Sequence, residues 1–171
     1  MKILFAAVVL ACIQVAAKSP SKSHVHREHS AHEHGQGSLA IAFEGVTGTI
    51  ELKAPAEAIV GFEHVAMTAA DKKKEQAAYN FVEANMGKIV QFENALGCEL
   101  MREKIETSHA GEHADTLAIF KVVCAKTPFG STLTLENKVL PKLKDIDVTI
   151  LVGVLQKSAE LGQKTVTVEL Q

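Results

Sequence analysis

Histidine is concentrated near the start of the chain, where five of its eight imidazoles lie within eleven residues. These five are His24, His26, His29, His32 and His34. Neutral imidazole is a favoured ligand of Zn²⁺, Cu²⁺ and Ni²⁺, and Zn²⁺ takes four N, S or O ligands. The cluster therefore predicts metal binding, with zinc expected and copper or nickel as alternatives. The competing interpretation is a solubilising linker whose histidines do little.

The segment that carries these histidines, residues 18–36, is polar and lacks apolar periodicity. Such a composition is typical of a flexible arm. An arm must become ordered when it binds an ion, which lowers its affinity and lets the ion exchange. We therefore expect capture and release of metal, weakening as the pH falls through about 6.5, where histidine ordinarily takes up a proton.

A second group of histidines has the spacing of an inverted zinc-peptidase motif, H-x-x-E-H, formed by His109, Glu112 and His113. Peptidase chemistry needs a helix that places both histidines on one face. Gly111 interrupts the motif and its flanks are polar, so we expect neither that helix nor a peptidase. The group predicts a metal-binding loop that also uses Asp115, with a solvated hairpin tip as the alternative.

An isolated histidine, His64, follows Glu63 in a loop predicted between a strand and a helix. One interpretation is a structural histidine that is held by hydrogen bonds. The other is a metal ligand, with Glu63 orienting its ring or sharing the ion.

The first seventeen residues have the layout of a secretory signal peptide. Lys2 precedes a short apolar run, and small residues end the segment at Ala17. A buried N-terminal helix is disfavoured because the run has no polar face. A further alternative is a lipoprotein in which Cys12 is acylated, although the bulky Leu10 makes that motif imperfect. Either processing route places the mature domain outside the cytoplasm, with a membrane as partner only if Cys12 is lipidated.

Two cysteines, Cys98 and Cys124, fall in the part of the chain expected to fold. In an oxidising compartment two cysteines most simply form one disulfide. The bond would close a loop of about 25 residues and stabilise the fold by roughly 3 kcal/mol. The alternative is that both are metal ligands, although their spacing is unlike Cys-x-x-Cys.

Alternating apolar residues after the arm predict a single α+β domain over residues 37–171, mostly antiparallel sheet with one main helix. Residues 38–44 and 49–54 predict a hairpin. Further strands are predicted at residues 98–106, 116–125, 132–135, 148–155 and 165–170.

The main helix is predicted from Thr68, a capping residue, to about Leu96. Gly87 is a potential break, and the apolar stripe is predicted to consist of Ala77, Phe81, Ala84, Ile89, Phe92 and Leu96. A polar loop is predicted at residues 107–114, and one or two helical turns at residues 137–143.

Charge and composition exclude several functions. The net charge of −2 and the 5% aromatic content disfavour nucleic acid as the main partner. The sequence shows no nucleophile–base pair and no phosphate-binding loop, so we do not expect an enzyme.

Several of these motifs together resemble the ZrgA-like family of bacterial zinc-uptake proteins. The resemblance lies in His29 to Gly35 before the first strand and in Gly61-Phe62-Glu63-His64. Gly97-Cys98, the loop with His109 and His113, and Cys124 follow in the family's order. It covers nearly all of the chain after the leader and implies a periplasmic protein that binds zinc and assists an ABC-type importer.

One departure from the family pattern concerns the central loop, which in many members carries a long run of His and Asp. Here that loop has only two histidines, which implies a lower capacity and a larger role for the arm. The alternatives are a periplasmic metal-buffering or stress protein without a transporter partner, and a scaffold module in which the histidines are incidental.

Overall fold

The computed structural model describes residues 35–171, which contain nine strands and two α-helices. The strands are β1 (Gln36–Glu44), β2 (Thr47–Pro55), β3 (Val90–Phe92), β4 (Glu99–Ala110), β5 (His113–Val123), β6 (Thr132–Leu135), β7 (Asp145–Val152), β8 (Leu155–Leu161) and β9 (Val166–Glu169). The helices are α1 (Ala56–Ile59) and α2 (Ala69–Ile89), and a 3₁₀ turn spans Asn94–Leu96. The predicted α+β class, mostly antiparallel with one main helix, is confirmed.

The first strand begins at Gln36, one residue before the predicted start of the domain. The predicted leader and the arm histidines His24, His26, His29, His32 and His34 lie outside the described residues. Among the helices from residue 35 onward, none combines the length and apolar character needed to cross a bilayer.

Two sheets organise the domain. The larger has the strand order β4-β5-β2-β1-β7-β8, and the smaller has the order β3-β6-β9. Within the described sheets every neighbouring pair is antiparallel except β1 and β7, which run parallel with Ser38 opposite Asp147. A parallel pair needs a long crossover, and here the crossover contains α2 and most of the smaller sheet.

The hairpin of β1 and β2 forms where the sequence alternates most clearly. Leu39 and Ile41 on β1, and Ile50 and Leu52 on β2, are buried, whereas their neighbours along each strand are exposed. A two-residue turn joins the strands, with Gly45 at a φ of +61°. Buried side chains of both sheets and of α2 form one hydrophobic cluster. The opposite face of the larger sheet is mostly solvent-exposed, so we call it the outer face.

The main helix is shorter than predicted and buries a different face. It runs through Gly87 without a break and ends at Ile89, because the next residue, Val90, turns extended and enters β3. The buried face consists of Tyr79, Val82, Asn85, Met86 and Ile89. The predicted stripe is wrong at three positions, because Phe81 is 48% exposed and Ala77 and Ala84 are also exposed, whereas Ile89 and Leu96 are buried.

Three predictions for the second half of the chain are also wrong. Residues 107–114 are not a loop but the ends of β4 and β5, joined by a two-residue turn at Gly111 and Glu112. The predicted strand at residues 148–155 contains a tight turn at Gly153 and Val154. The strand after this turn, β8, is not among the predicted strands. Residues 137–143 form no helix, and the Asn137 side-chain amide instead donates to the Leu143 carbonyl at 2.6 Å.

The predicted disulfide is confirmed. Cys98 and Cys124 are bonded with an S–S distance of 2.08 Å. They extend the pairing of β4 with β5 by one residue beyond Glu99 and Val123. The Cys124 amide donates to the Val46 carbonyl at 2.9 Å, which places the bond at the same end of the sheet as the β1–β2 turn.

Candidate metal site

One end of the larger sheet collects the predicted ligands of the folded domain. β5 begins there at His113, β4 ends there at Ala110, and β2 ends there at Pro55, which pairs with Asp115. β1 also begins at this end, because its early residue Ser38 pairs with Lys53 near the end of β2. We call this region the ligand end of the sheet. It lies opposite the disulfide.

Two imidazole–carboxylate pairs are present. The first joins His113 Nδ1 to Glu63 Oε2 at 3.8 Å, and the second joins His64 Nε2 to Asp71 Oδ1 at 3.7 Å. Both imidazoles are more than half exposed, at 53% and 62%, whereas the carboxylate side chains are only 22% and 24% exposed. Because Glu63 and His64 are consecutive, the loop between α1 and α2 links the hairpin tip to the start of α2.

Asp71 is fixed by the first turn of α2. Its Oδ2 accepts hydrogen bonds from the Thr68 amide at 3.2 Å and the Thr68 hydroxyl at 2.7 Å. The Asp71 amide donates in return to Thr68 Oγ1 at 3.1 Å, which completes a capping box. These bonds from Thr68, with a smaller contribution from His64, lower the pKa of Asp71. An ionised carboxylate thus directs Oδ1 toward His64.

The ring of His64 also contacts an aromatic neighbour. Phe62 stacks on it with ring centroids 4.4 Å apart and planes inclined by 22°. Lys74 Nζ lies 5.3 Å from the Phe62 centroid and donates to the Gly61 carbonyl at 3.5 Å. Gly61 has a φ of +89°, a backbone conformation that residues with a side chain rarely adopt, so the bend favours glycine. The contacts of Phe62 and Lys74 therefore determine both the conformation of this loop and the orientation of the His64 ring.

The other predicted ligands of the central hairpin do not join these pairs. His109 lies opposite Ala114, whereas His113 lies opposite Ala110, so the two imidazoles are on different faces of the sheet. Glu112 is in the turn between them. Asp115 Oδ2 forms an ion pair at 3.1 Å with Lys53 Nζ on the outer face. The motif spacing therefore does not describe one ligand set.

Within residues 35–171, no three His, Cys, Asp or Glu side chains form a group that could hold a metal ion. The candidates named from the sequence include His64, His113 and Glu63, but they do not include Asp71. The available signal was the spacing Thr-x-x-Asp at residues 68–71, which indicates a capping box beside the loop that carries His64.

Comparison with curated proteins finds no match to this chain. A protein-family model described as ZrgA family zinc uptake protein matches residues 31–170, which is 140 of the 171 residues. The match includes both imidazole–carboxylate pairs, the disulfide and the last two arm histidines. The chain therefore belongs to the ZrgA family of zinc uptake proteins.

Proposed function

We propose that the protein is a periplasmic, non-catalytic zinc-binding accessory protein that captures zinc for an ABC-type importer. The observation that carries the proposal is the presence of two exposed imidazole–carboxylate pairs at the ligand end of a domain from a zinc-uptake family. Imidazole nitrogen and carboxylate oxygen are both ordinary zinc ligands.

The chain connectivity supports cooperation between the arm and this end of the sheet. The arm precedes Gln36, where β1 begins at the ligand end. Neighbouring strands lie about 4.8 Å apart, so the start of β5, two strands away, is about 10 Å from β1. A chain spans at most about 3.3–3.6 Å per residue, which gives His24 a reach of roughly 40 Å from Gln36. Chain length alone therefore does not prevent an arm imidazole from meeting His113 at the start of β5.

Export is the second part of the proposal. The disulfide between Cys98 and Cys124 suits an oxidising compartment. The predicted leader at residues 1–17 supplies the route, and acylation at Cys12 would tether the protein to a membrane. Stable zinc sites in proteins use three or four protein ligands. A pair supplies only two, so the pairs favour delivery of zinc to an importer over storage.

The test measures zinc bound to the mature full chain and to a variant that lacks the arm imidazoles. Purified protein is dialysed against trace Zn²⁺ at neutral pH, and its metal content is measured by elemental mass spectrometry. Replacing His24, His26, His29, His32 and His34 with Gln is expected to reduce the bound zinc without abolishing it. The matched control replaces arm serines instead, Ser19, Ser21, Ser23 and Ser30 with Gln, and is expected to bind as the unaltered chain does.

Background zinc in the unaltered chain would refute the proposal. Its transport part is tested by growth under zinc limitation, where loss of this protein should have no further effect once the importer is deleted. An additive defect would instead indicate metal buffering without a transporter partner.

A further inference from the structure

The separations within the two imidazole–carboxylate pairs distinguish between two chemical roles. A hydrogen bond between a ring N–H and a carboxylate oxygen has a length of about 2.9 Å. The measured distances of 3.7 and 3.8 Å are too long for such bonds. Two ligands that each lie about 2.05 Å from one tetrahedral Zn²⁺ are about 3.3–3.4 Å apart. The observed spacing is therefore closer to that of two ligands sharing an ion.

We propose that Glu63 and Asp71 bind zinc directly, each as the second ligand beside the imidazole it faces. His64 binds through Nε2 together with Asp71 Oδ1, and His113 binds through Nδ1 together with Glu63 Oε2. This inference rests on the proposed function, because it names the ligands through which the folded domain holds the captured ion.

The surroundings of Asp71 pre-organise its carboxylate for metal binding. Its Oδ2 already accepts two hydrogen bonds from Thr68, so the carboxylate is oriented and Oδ1 is directed toward His64. Phe62 fixes the His64 ring by stacking on it. Little side-chain freedom remains to be lost on binding, and closing the gap by about 0.4 Å brings both atoms to the ligand spacing.

The second pair differs because its partners come from separate elements. His113 opens β5 and Glu63 lies in the loop before α2. An ion held between them would link the hairpin tip to that loop. Since no three ligand side chains converge among residues 35–171, each pair supplies half of a tetrahedral set, which leaves the ion exchangeable.

The competing role for the carboxylates is to orient the rings, as outer partners of metal-bound histidines commonly do. In that arrangement the carboxylate accepts the ring N–H, and zinc binds the opposite nitrogen. If the carboxylates only orient the rings, zinc must therefore bind Nδ1 of His64 and Nε2 of His113. Direct ligation requires metal at the other nitrogen of each ring, so the identity of the metal-bound nitrogen decides between the two roles.

The experiment records long-range ¹H–¹⁵N spectra of histidine-labelled full-length mature protein whose five arm histidines are replaced with Gln, with and without Zn²⁺. We expect zinc to shift Nε2 of His64 and Nδ1 of His113 and to leave the imidazole of His109 unchanged. Zinc at the opposite nitrogens, or no response at either ring, overturns the proposal. If the rings do not respond but the unaltered chain still binds zinc, the proposed function stands and this inference alone fails.

A substitution gives an independent measurement. Asp71→Asn keeps an oxygen that can accept from Thr68 but removes the anionic ligand. Zinc affinity at the His64 pair should fall by at least the roughly 10–100-fold that loss of an outer-shell partner costs. The matched control is Asp147→Asn, which alters an exposed carboxylate on β7 and should leave zinc affinity unchanged. Unchanged affinity in a folded Asp71→Asn protein, checked by circular dichroism, contradicts direct ligation.

Discussion

Removal of the disulfide should destabilise the domain strongly without affecting zinc. The bond joins residues 26 positions apart, Cys98 and Cys124. On the chain-entropy model, a loop of that size corresponds to about 3.5 kcal/mol at 25 °C. Natural domains are stable by about 5–15 kcal/mol, so a variant with both cysteines replaced by Ala is expected to lose a large share of its stability.

Zinc affinity is the second quantity to measure in this variant, and its expected value follows from the distance between the disulfide and the ligand end. His113 is the first residue of β5, and Cys124 directly follows the last of its eleven residues, which places the two regions roughly 35 Å apart along the strand. Zinc affinity in the folded variant should therefore equal that of the unaltered protein.

Urea denaturation followed by circular dichroism measures the loss. With a slope of about 2 kcal/mol/M, the midpoint should fall by roughly 1.5–2 M. The single variant Cys98→Ala breaks the same cross-link and should show nearly the same shift. A loss below about 1 kcal/mol would refute the argument that the cross-link restricts the unfolded chain. Loss of zinc binding by a variant that remains folded would contradict the independence of the disulfide from the ligand end.

Three further outcomes are expected. Thr68→Ala removes the cap of α2 and should lower the free energy of unfolding by about 1 kcal/mol in a denaturant titration, with reduced helical ellipticity. Zinc affinity measured by calorimetry should fall steeply between about pH 7 and pH 5.5, because protons compete with the ion for imidazole; equal affinity at both values would count against imidazole ligation. Since the pKa of Asp71 is lowered from 3.8, its contribution to stability is present above that value and is lost as the pH falls through the folded-state pKa. Asp71→Asn should therefore weaken the acid dependence of unfolding.

The parts of the fold that the sequence predicts well are those determined by neighbouring residues. The hairpin of β1 and β2 follows from strict alternation between buried and exposed positions, such as Ile50 and Glu51. The start of α2 follows from Thr68, whose side chain accepts the Asp71 amide. Both features depend on contacts only a few residues apart along the chain.

Features that depend on distant contacts were predicted poorly. The buried face of α2 is selected by the sheet it meets, and Tyr79 is placed there because its hydroxyl donates to Thr107 on β4 at 2.8 Å. Phe81 is more apolar but lies outside that contact. The helix ends at Ile89 because Val90 pairs with Leu135 of β6, 45 residues later. The helical periodicity of the sequence cannot reveal a pairing strand that lies so far along the chain.

The placement of the predicted ligands depends on tertiary structure for a related reason. Spacing of four residues places two side chains on one face of an uninterrupted helix or strand, but not across a turn. Here a two-residue turn separates the strands, so Ala110 pairs with His113 and His109 pairs with Ala114. Alternation along each strand then places the two imidazoles on opposite faces. The true neighbours of His64 and His113 are carboxylates, Asp71 and Glu63, that tertiary structure brings to them.

The double role of Asp71 couples helix stability to the metal. One oxygen closes the capping box with Thr68 while the other faces His64, so an ion bound to the pair resists opening of the first turn of α2. A ligand that binds only the closed form stabilises it by RT ln(1 + [L]/Kd), or about 2.7 kcal/mol at 100 times Kd. The amides of Asp71 and Lys72, which donate to Thr68, should then exchange hydrogen up to about 100-fold more slowly with zinc. Unchanged exchange at saturating zinc would show that the ion does not engage this carboxylate.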